Sequence, residues 1–131
     1  MLDKEGFSLW DFTMPLAKIY TSEDFELNNF DKISKSISGI LSSVLNKSED
    51  YIMCVCPKSH YQSFANNFSD PSIYVEIKNV GVLSPEVTSE LTEKLTSMLI
   101  GNTDTPASRI YIEFQNSERH MWGWNGKTFH K

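Results

Sequence analysis

The sequence has only two cysteines, and their spacing makes a disulfide between them unfavourable. Cys54 and Cys56 stand two residues apart, and residues at that spacing in a strand point to opposite faces of the sheet. Both side chains are therefore predicted to act as small buried apolar groups. A soluble, intracellular protein is the default expectation for such a chain.

Clusters of positive charge and long apolar runs are also missing. The net charge is −5, with no run of Lys or Arg, which argues against a nucleic-acid-binding surface. No apolar stretch approaches the ~18 residues of a membrane span, and the first residues lack the basic and apolar segments of a signal peptide. We expect a cytoplasmic protein without nucleic-acid or membrane partners. Secretion without a signal peptide is the alternative.

The usual signals of metal, phosphate and nucleophile chemistry are absent as well. The three histidines, His60, His120 and His130, are far apart and lack metal-ligand spacing. There is no glycine-rich phosphate loop, and the serines, histidines and aspartates form no recognisable catalytic arrangement. We expect neither a metal nor a cofactor.

Hydrophobic periodicity predicts two successive strand–helix–strand units in this chain of 131 residues, which is 40% hydrophobic. The first unit is a strand over 16–21, an amphipathic helix over 27–45 and a strand over 51–56. The last of these is apolar almost throughout, as in a strand buried on both faces.

The second unit follows a polar loop at 58–71. It consists of an alternating strand over 73–78, a helix after Ser84 and Pro85, and a strand over 109–114. Serine is a favoured N-cap and proline a favoured first helical residue. Gly101 and Asn102 are predicted to form a left-handed C-terminal cap.

These two βαβ units predict an α+β fold, a four-stranded sheet with both helices on one face. Each crossover should be right-handed and make its two strands parallel. The apolar residues of 51–56 then need a cover on the face away from the helices, which predicts self-association. The aromatic tail is expected to add an edge strand to a neighbouring chain. Residues 1–14 are interpreted as an N-terminal extension, and residues 15–131 as the domain.

The first strand begins with proline. Pro15 has no N–H to give to a sheet, so it is tolerated as the first residue of a strand. If Met14 were a start methionine and were removed, Pro15 would instead carry a free secondary amine. The residues alone leave both interpretations open.

Six segments in order resemble the macrophage migration inhibitory factor and D-dopachrome tautomerase family, of the tautomerase superfamily. The resemblance covers residues 15–129. The segments are Met14-Pro15, Lys47 to Ile52, Ser69 to Pro71, Asn79 to Gly81, Arg109 to Ile112, and Gly123 to Phe129. The resemblance implies a homotrimer whose three sheets line a central barrel, with a pocket between neighbouring subunits. It also implies keto–enol tautomerase activity on arylpyruvates such as phenylpyruvate, or on dopachrome-like compounds.

The resemblance also assigns site residues. Pro15 is expected to be the general base and acid, since an N-terminal amine starts with a pKa of about 7.7–8.0 and apolar walls or a nearby cation lower it. Lys47 is expected to bind the substrate carboxylate, Val80 to contact substrate through its backbone, and Tyr111 to reach a neighbouring subunit's pocket. Apolar walls are expected from Leu16, Tyr51, Trp122, Trp124 and Phe129.

Each assigned residue also has a purely structural interpretation. Lys47 would be a surface lysine at a helix end, Val80 an ordinary strand-end valine, and Tyr111 a half-buried strand tyrosine. Trp124 and Phe129 would pack at a subunit interface.

Three departures from the family pattern matter. Glu113 stands where the animal cytokine has an asparagine, and a carboxylate facing the pocket would oppose an acidic substrate. Residues 72–75, Ser-Ile-Tyr-Val, replace the cytokine's Cys-x-x-Cys, so thiol–disulfide activity should be absent. Residues 1–14 hold Pro15 in an amide bond, which is not basic.

Three hypotheses for function follow. The chain is an arylpyruvate tautomerase once Pro15 is exposed, or a catalytically silent, cytokine-like interaction protein that keeps its extension. The third, a ferredoxin-like regulatory module, is disfavoured by the aromatic tail and the Met-Pro segment.

Overall fold

The computed structural model describes residues 15–23, 25–58 and 61–130. The predicted extension, residues 1–14, and His60 lie outside them. The described chain forms six strands and two α-helices, joined by three single 3-10 turns. In chain order these are β1 (Pro15–Thr21), α1 (Leu27–Leu45), a turn (Glu49–Tyr51), β2 (Met53–Val55), β3 (Ile73–Val80), α2 (Pro85–Asn102), a turn (Ala107–Arg109), β4 (Ile110–Ser117), a turn (Arg119–Met121), β5 (Gly123–Trp124) and β6 (Lys127–Thr128).

The main sheet is mixed and has the order β2-β1-β3-β4. β1 is parallel to β2, β3 is parallel to β4, and the two pairs meet through antiparallel β1 and β3. The predicted four-stranded sheet built from two βαβ units is therefore confirmed. Its register sets Pro15 opposite Asn79 and Thr21 opposite Ile73.

The core lies between one face of this sheet and the two helices. Residues at a spacing of four put one apolar stripe on each helix, and alternate residues of β1 and β3 meet these stripes. Each large apolar side chain contributes about 1.5–3 kcal/mol when fully buried. The fully buried members are Ala17, Ile19, Ile33, Ile37, Leu41, Ile73, Val75, Ile77, Leu91, Leu95 and Leu99.

Two of the four helix ends carry the residues that favour a helix terminus. The Ser84 hydroxyl accepts a hydrogen bond from Val87 N–H at 3.2 Å, and Pro85 is the first residue of α2. α1 ends before Asn46, a left-handed residue with φ 54°. The start of α1 differs, because it follows Glu26, which makes no side-chain cap.

The predicted left-handed cap at Gly101 and Asn102 is wrong, because both residues are still helical. Side chains instead bond two carbonyls of the last turns of α2. The Asn102 amide donates to the Met98 carbonyl and the Thr103 hydroxyl to the Leu99 carbonyl, both at 2.7 Å. A left-handed residue is therefore not needed to end the helix.

The strand predicted over 51–56 is shorter and less buried than expected. Tyr51 lies in a 3-10 turn, where the Ser48 hydroxyl accepts a hydrogen bond from Asp50 N–H. β2 covers only three residues at the sheet edge, and Met53 is 58% exposed. An edge strand has no outer neighbour, so its apolar sequence does not bury it on both faces. Cys54 and Cys56 are free thiols, as predicted, but both are only half-buried.

The sheet face away from the helices is mostly polar and aromatic, not apolar as predicted from 51–56. The rings of Tyr20 and Tyr74 stack at 5.7 Å on this face, and Lys78 Nζ donates to Gln115 Oε1 at 3.1 Å. An apolar cover over this face is therefore needed only at its β2 edge. The predicted homotrimer stays a prediction.

The aromatic tail forms a small hairpin within the chain. β5 and β6 are antiparallel, and Asn125 and Gly126 at the turn have φ 53° and 79°, the conformation that a two-residue hairpin turn requires. Phe129 N–H donates to the Trp122 carbonyl at 3.1 Å. Strand addition to a neighbouring chain stays a prediction.

Arg109 fastens the loop that precedes β3. Its Nε donates to the Pro71 carbonyl at 2.8 Å, Nη1 to the Phe64 carbonyl at 3.1 Å, and Nη2 to the carbonyls of Asn67 and Asp70 at 2.8 and 3.1 Å. Its guanidinium carbon lies 5.2 Å from the centroid of the Phe64 ring. One cation therefore orders four backbone carbonyls of this loop.

Neither of the two described helices is apolar enough along its length to cross a membrane.

Candidate active site

The strand directions gather most of the predicted site residues at one end of the sheet. Leu16 pairs with Met53 at the start of β2, Pro15 pairs with Asn79 near the end of β3, and Val80 pairs with Ser117 at the end of β4. The start of β1, the turn that leads into β2, and the loops after β3 and β4 therefore share this end.

Pro15 is fully buried at the first position of β1. A strand tolerates proline there because the nitrogen at that position does not need to donate a hydrogen bond to the sheet. In the full sequence this nitrogen is bonded to Met14, and an amide nitrogen cannot take up a proton near neutral pH. Any acid–base chemistry at Pro15 therefore needs the bond to Met14 to be absent.

Lys47 lies just beyond α1, at the same end of the sheet. Its backbone N–H donates to the Ser42 carbonyl at 3.2 Å, and the Ser42 hydroxyl donates to the Lys47 carbonyl. The left-handed Asn46 turns the chain out of the helix, and Lys47 is half-buried there. A cation beside a helix C-terminus is electrostatically favoured.

Aromatic rings form a continuous wall at this end. The rings of Tyr51 and Trp124 meet edge-on at 5.2 Å, and those of Trp124 and Phe129 stack at 6.4 Å. The tail leaves β4 at one edge of the sheet and reaches Tyr51 beside β2 at the other edge. It therefore crosses the end of the sheet where Pro15 lies, with Trp122 half-buried at its root.

Val80 is buried at the end of β3, where the whole residue is 3% exposed. Gly81 follows with φ 110°, and its N–H donates to the Ser117 carbonyl at 3.0 Å. A side chain at Gly81 would be strained in this conformation. The backbone contact between Val80 and a substrate stays a prediction.

Tyr111 lies away from this end in the same chain, and Glu113 lies level with Lys18 at the middle of β1. Tyr111 pairs with Tyr74, which pairs with Tyr20, so these residues lie toward the far end of β1 from Pro15. Tyr111 is 65% exposed, and its ring contacts Phe64 at 5.1 Å. One chain therefore does not complete the predicted residue set, and Tyr111 could reach a Pro15 site only from a second chain.

Glu113 is held by a tyrosine. The Tyr74 hydroxyl lies 2.9 Å from Glu113 Oε1 and 3.0 Å from Glu76 Oε1. Desolvation, followed by the hydrogen bonds to Glu113 and Glu76, raises the pKa of Tyr74 well above its ordinary value. This cluster is not predicted by the sequence, because alternation places Tyr74 and Glu76 on one face of β3 but does not give the register that adds Glu113 of β4.

Tyr74 is expected to make stability fall at alkaline pH. Its folded-state pKa lies above the ordinary value of about 10, so its contribution is complete below pH ~10 and is lost as pH rises through the folded-state value. Urea unfolding at pH 9 and at pH 11 measures this loss. Tyr74→Phe should weaken the decline, and an equal decline in both proteins would contradict the assignment.

Cys54 is not a reactive thiol. Burial raises its pKa to about 11, against a lowering hydrogen bond with Ser34. The nucleophilic thiolate is therefore scarce at neutral pH.

No three described His, Cys, Asp or Glu side chains are placed to hold a metal ion. The rings of His120 and His130 meet at 6.4 Å, and His120 Nε2 lies 2.6 Å from Glu118 Oε2. His60, the third histidine, is outside the described residues.

None of three described cavities is lined by a predicted site residue. One of about 430 Å³ is bordered by Thr21, Glu23 and Asp104, and one of about 670 Å³ lies between α2 and β4. A third, of about 410 Å³, is bordered by Gly81, Ser117 and His130, next to the end of β3. The candidate site therefore rests on the positions of its residues and not on a cavity within one chain.

Asn79 belongs to one of the six segments of the family resemblance, but no role is predicted for it. It continues the buried alternation of β3, where an apolar side chain is expected, and it faces Pro15 across the ladder. A polar residue at a buried strand position was therefore the signal in the sequence that Asn79 could have a functional role.

Comparisons with known proteins agree with the fold. The family model described as macrophage migration inhibitory factor matches residues 14–130. A macrophage migration inhibitory factor homolog of Brugia malayi is 30% identical over 95 residues, which cover 72% of this chain and 82% of that protein.

Solved structures show the same likeness. The macrophage migration inhibitory factor homologue from Prochlorococcus marinus is 32% identical with a TM-score of 0.80, covering 88% of this chain and 99% of that chain. The protein Pt0534, in a form inactivated by 2-oxo-3-pentynoate, is 12% identical with a TM-score of 0.78, covering 86% and 94%. These matches confirm the predicted family and fold. The chain belongs to the macrophage migration inhibitory factor family.

Proposed function

We propose that this chain, once Pro15 carries a free amine, is a keto–enol tautomerase of arylpyruvates such as phenylpyruvate. The observation that carries the proposal is the position of Pro15. It begins β1 at the end of the sheet where Lys47 and the ring wall of Tyr51, Trp124 and Phe129 also lie. Membership in the macrophage migration inhibitory factor family also supports the proposal.

The proposed reaction moves one proton. The Pro15 amine removes a proton from the carbon next to the carbonyl, and the electron pair of that C–H bond moves toward the carbonyl oxygen to give an enolate. The resulting ammonium then returns a proton to that oxygen, and the enol leaves. One group acts as base and then as acid, so a pKa near the working pH serves both steps.

The surroundings of Pro15 suit an arylpyruvate. The rings of Tyr51 and Trp124 offer an apolar face for an aryl group, and Lys47 offers a cation for the carboxylate. Both the apolar walls and the cation lower the pKa of the amine. A 2-oxo acid also inactivates the structural neighbour Pt0534, which supports a site for this class of compound.

A complete site needs more than one copy of the chain. We propose that a homotrimer brings Tyr111, and Glu113 beside it, to the Pro15 end of a neighbouring subunit. In one chain Tyr111 lies toward the other end of the sheet from Pro15, and Glu113 lies level with Lys18 at the middle of β1. Tyr111 is largely exposed. Glu113, held by Tyr74, would keep its carboxylate directed to that tyrosine and away from an acidic substrate.

Lys47→Met, made in the chain that begins at Pro15, tests the carboxylate assignment. It should raise KM for phenylpyruvate about 10–100-fold, the effect of losing one charged hydrogen bond. KM for the methyl ester of phenylpyruvate should be unchanged, because the ester has no carboxylate. Steady-state kinetics on both substrates measure the difference.

Lys35→Met is the matched control. Lys35 lies on the preceding helix, 77% exposed, and pairs only with Asp31 at 2.9 Å among the described side chains. Its replacement should leave both KM values unchanged. An equal rise of KM for acid and ester in Lys47→Met would overturn the carboxylate role of Lys47.

The alternative function is a catalytically silent interaction protein of the same fold. The observation in its favour is the peptide bond between Met14 and Pro15 in the 131-residue chain. A protein that keeps this bond would show no turnover of phenylpyruvate.

A further inference from the structure

A buried carboxamide without a hydrogen-bond partner faces Pro15. Asn79 is 3% exposed and lies on the same side of β3 as the core residues Val75 and Ile77. Its Oδ1 atom is buried and has no hydrogen-bond partner among the described residues. A buried acceptor without a donor is unfavourable, so such an atom calls for a partner that the chain can supply.

Pro15 is the residue placed to supply that donor. It pairs directly with Asn79 in the antiparallel ladder, and residues directly opposite one another point to the same face at close range. Within a peptide bond the proline nitrogen has no hydrogen. As a free terminus it carries one N–H when neutral and two when protonated.

We propose that Asn79 is a positioning residue for the amine of Pro15, accepting a hydrogen bond from its N–H through Oδ1. This inference rests on the proposed function, because it needs the bond between Met14 and Pro15 to be absent. In the neutral amine, one N–H directed at Asn79 turns the nitrogen lone pair toward the remaining open direction. The base is thereby oriented before substrate arrives.

The same hydrogen bond favours the protonated amine. An acceptor for the ammonium N–H raises the pKa of the amine, whereas Lys47 and apolar walls lower it. Asn79 would therefore keep the amine from becoming too weak a base for proton abstraction.

Other titratable groups surround this end of the sheet, and their titration must be distinguished from that of the Pro15 amine. Lys47 and Glu49 lie on the segment before β2, and Glu118 and His120 on the segment after β4. Cys54 of β2 faces the helices beside Ala17, and Lys78 of β3 points to the other face. All of these groups are present in the full chain as well, in which Pro15 has no free amine.

The test is an NMR titration of isotopically labelled protein, without substrate, between pH 5 and 10. In the chain that begins at Pro15, the side-chain carboxamide signals of Asn79 should titrate with the same midpoint as the ring signals of Pro15. In the full 131-residue chain, the Asn79 signals should show no such transition. Asn79 signals that stay flat in the shortened chain, as expected if Oδ1 binds only water, would overturn the proposal.

Two nearly isosteric variants sharpen the test. Asn79→Leu removes the acceptor and should lower the Pro15 midpoint by about one pH unit, while Asn79→Asp supplies an anionic acceptor and should raise it. Asn116→Leu, at the neighbouring and exposed position of β4, should leave the midpoint in place. An unchanged midpoint in folded Asn79→Leu would overturn the proposal, and if that variant fails to fold, the titration of the unaltered chain decides.

This experiment separates the two proposals. A shared midpoint of Asn79 and Pro15 in a chain without phenylpyruvate turnover supports the hydrogen bond and contradicts the tautomerase. Turnover without a shared midpoint supports the tautomerase and contradicts the role of Asn79.

Discussion

A chain that begins at Pro15 will interconvert keto and enol phenylpyruvate about 10²–10⁴-fold faster than the full chain, the usual contribution of a positioned acid–base group. The physical reason is the basicity of the nitrogen. Bonded to Met14, it is an amide without basicity, and freed it becomes a secondary amine at the start of β1. Initial rates followed by the absorbance of the enol measure the difference.

Pro15→Gly in the shortened chain is the companion variant. It replaces the secondary ring amine by a flexible primary amine, and turnover should fall about tenfold or more while the assembly keeps its size in light scattering. Full activity in Pro15→Gly, or equal activity in the full and shortened chains, would show that Pro15 is not the base.

Arg109→Met will lower the free energy of unfolding by about 3 kcal/mol, because it removes a charged donor from several partly buried carbonyls at once. Arg109 bonds four loop carbonyls at 2.8–3.1 Å and covers the Phe64 ring. Urea unfolding measures the change. Limited proteolysis should also cleave the loop between β2 and β3 faster in the variant.

Two variants serve as controls for Arg109. Arg109→Lys keeps the charge but not the planar fork of donors, so it should recover only a small part of the loss. Lys94→Met removes a cation from an exposed pair with Glu90 at 3.0 Å and should change stability by less than about 0.5 kcal/mol. A loss below about 1 kcal/mol in Arg109→Met, or full recovery with lysine, would contradict the anchoring role.

Arg109 also connects the loop to a predicted site residue. The Phe64 ring contacts both the Arg109 guanidinium, at 5.2 Å, and the Tyr111 ring, at 5.1 Å. A loop released from Arg109 would therefore leave Tyr111 without its packing partner, although Tyr111 itself is on a strand.

The parts of the fold that sequence predicted well are those set by long periodic patterns. The stripes of α1 and α2 and the alternation of β3 each rest on several apolar residues at regular spacing, so a single exception does not change the assignment. The order of elements then limited the topology to two βαβ units, each with parallel strands.

The predictions that failed concern short segments and edges. The apolar run at 51–56 does not show that β2 lies at the sheet edge, because edge position depends on which strands the rest of the chain supplies. The end of α2 was predicted wrongly because two ways of ending a helix were possible there. A glycine cap was expected, but the side chains of Asn102 and Thr103 bond carbonyls of the last turns instead.

The candidate site likewise has residues that could be named from the sequence and contacts that could not. Pro15, Lys47, Tyr51 and Trp124 were named through a family resemblance, and strand directions place them at one end of the sheet. Residue patterns alone assign no function to any of them. The bonds of Tyr74 to Glu113 and Glu76 required the register between β3 and β4, which no local pattern specifies.

Turnover of phenylpyruvate should require a free amine on Pro15, and the intact mass of the active protein from its native source tests this requirement most directly. We expect a fraction with phenylpyruvate turnover to have a mass lacking residues 1–14, so that Pro15 is its first residue. A fraction that turns over phenylpyruvate at the full rate while its mass includes residues 1–14 would show that no free amine on Pro15 is required.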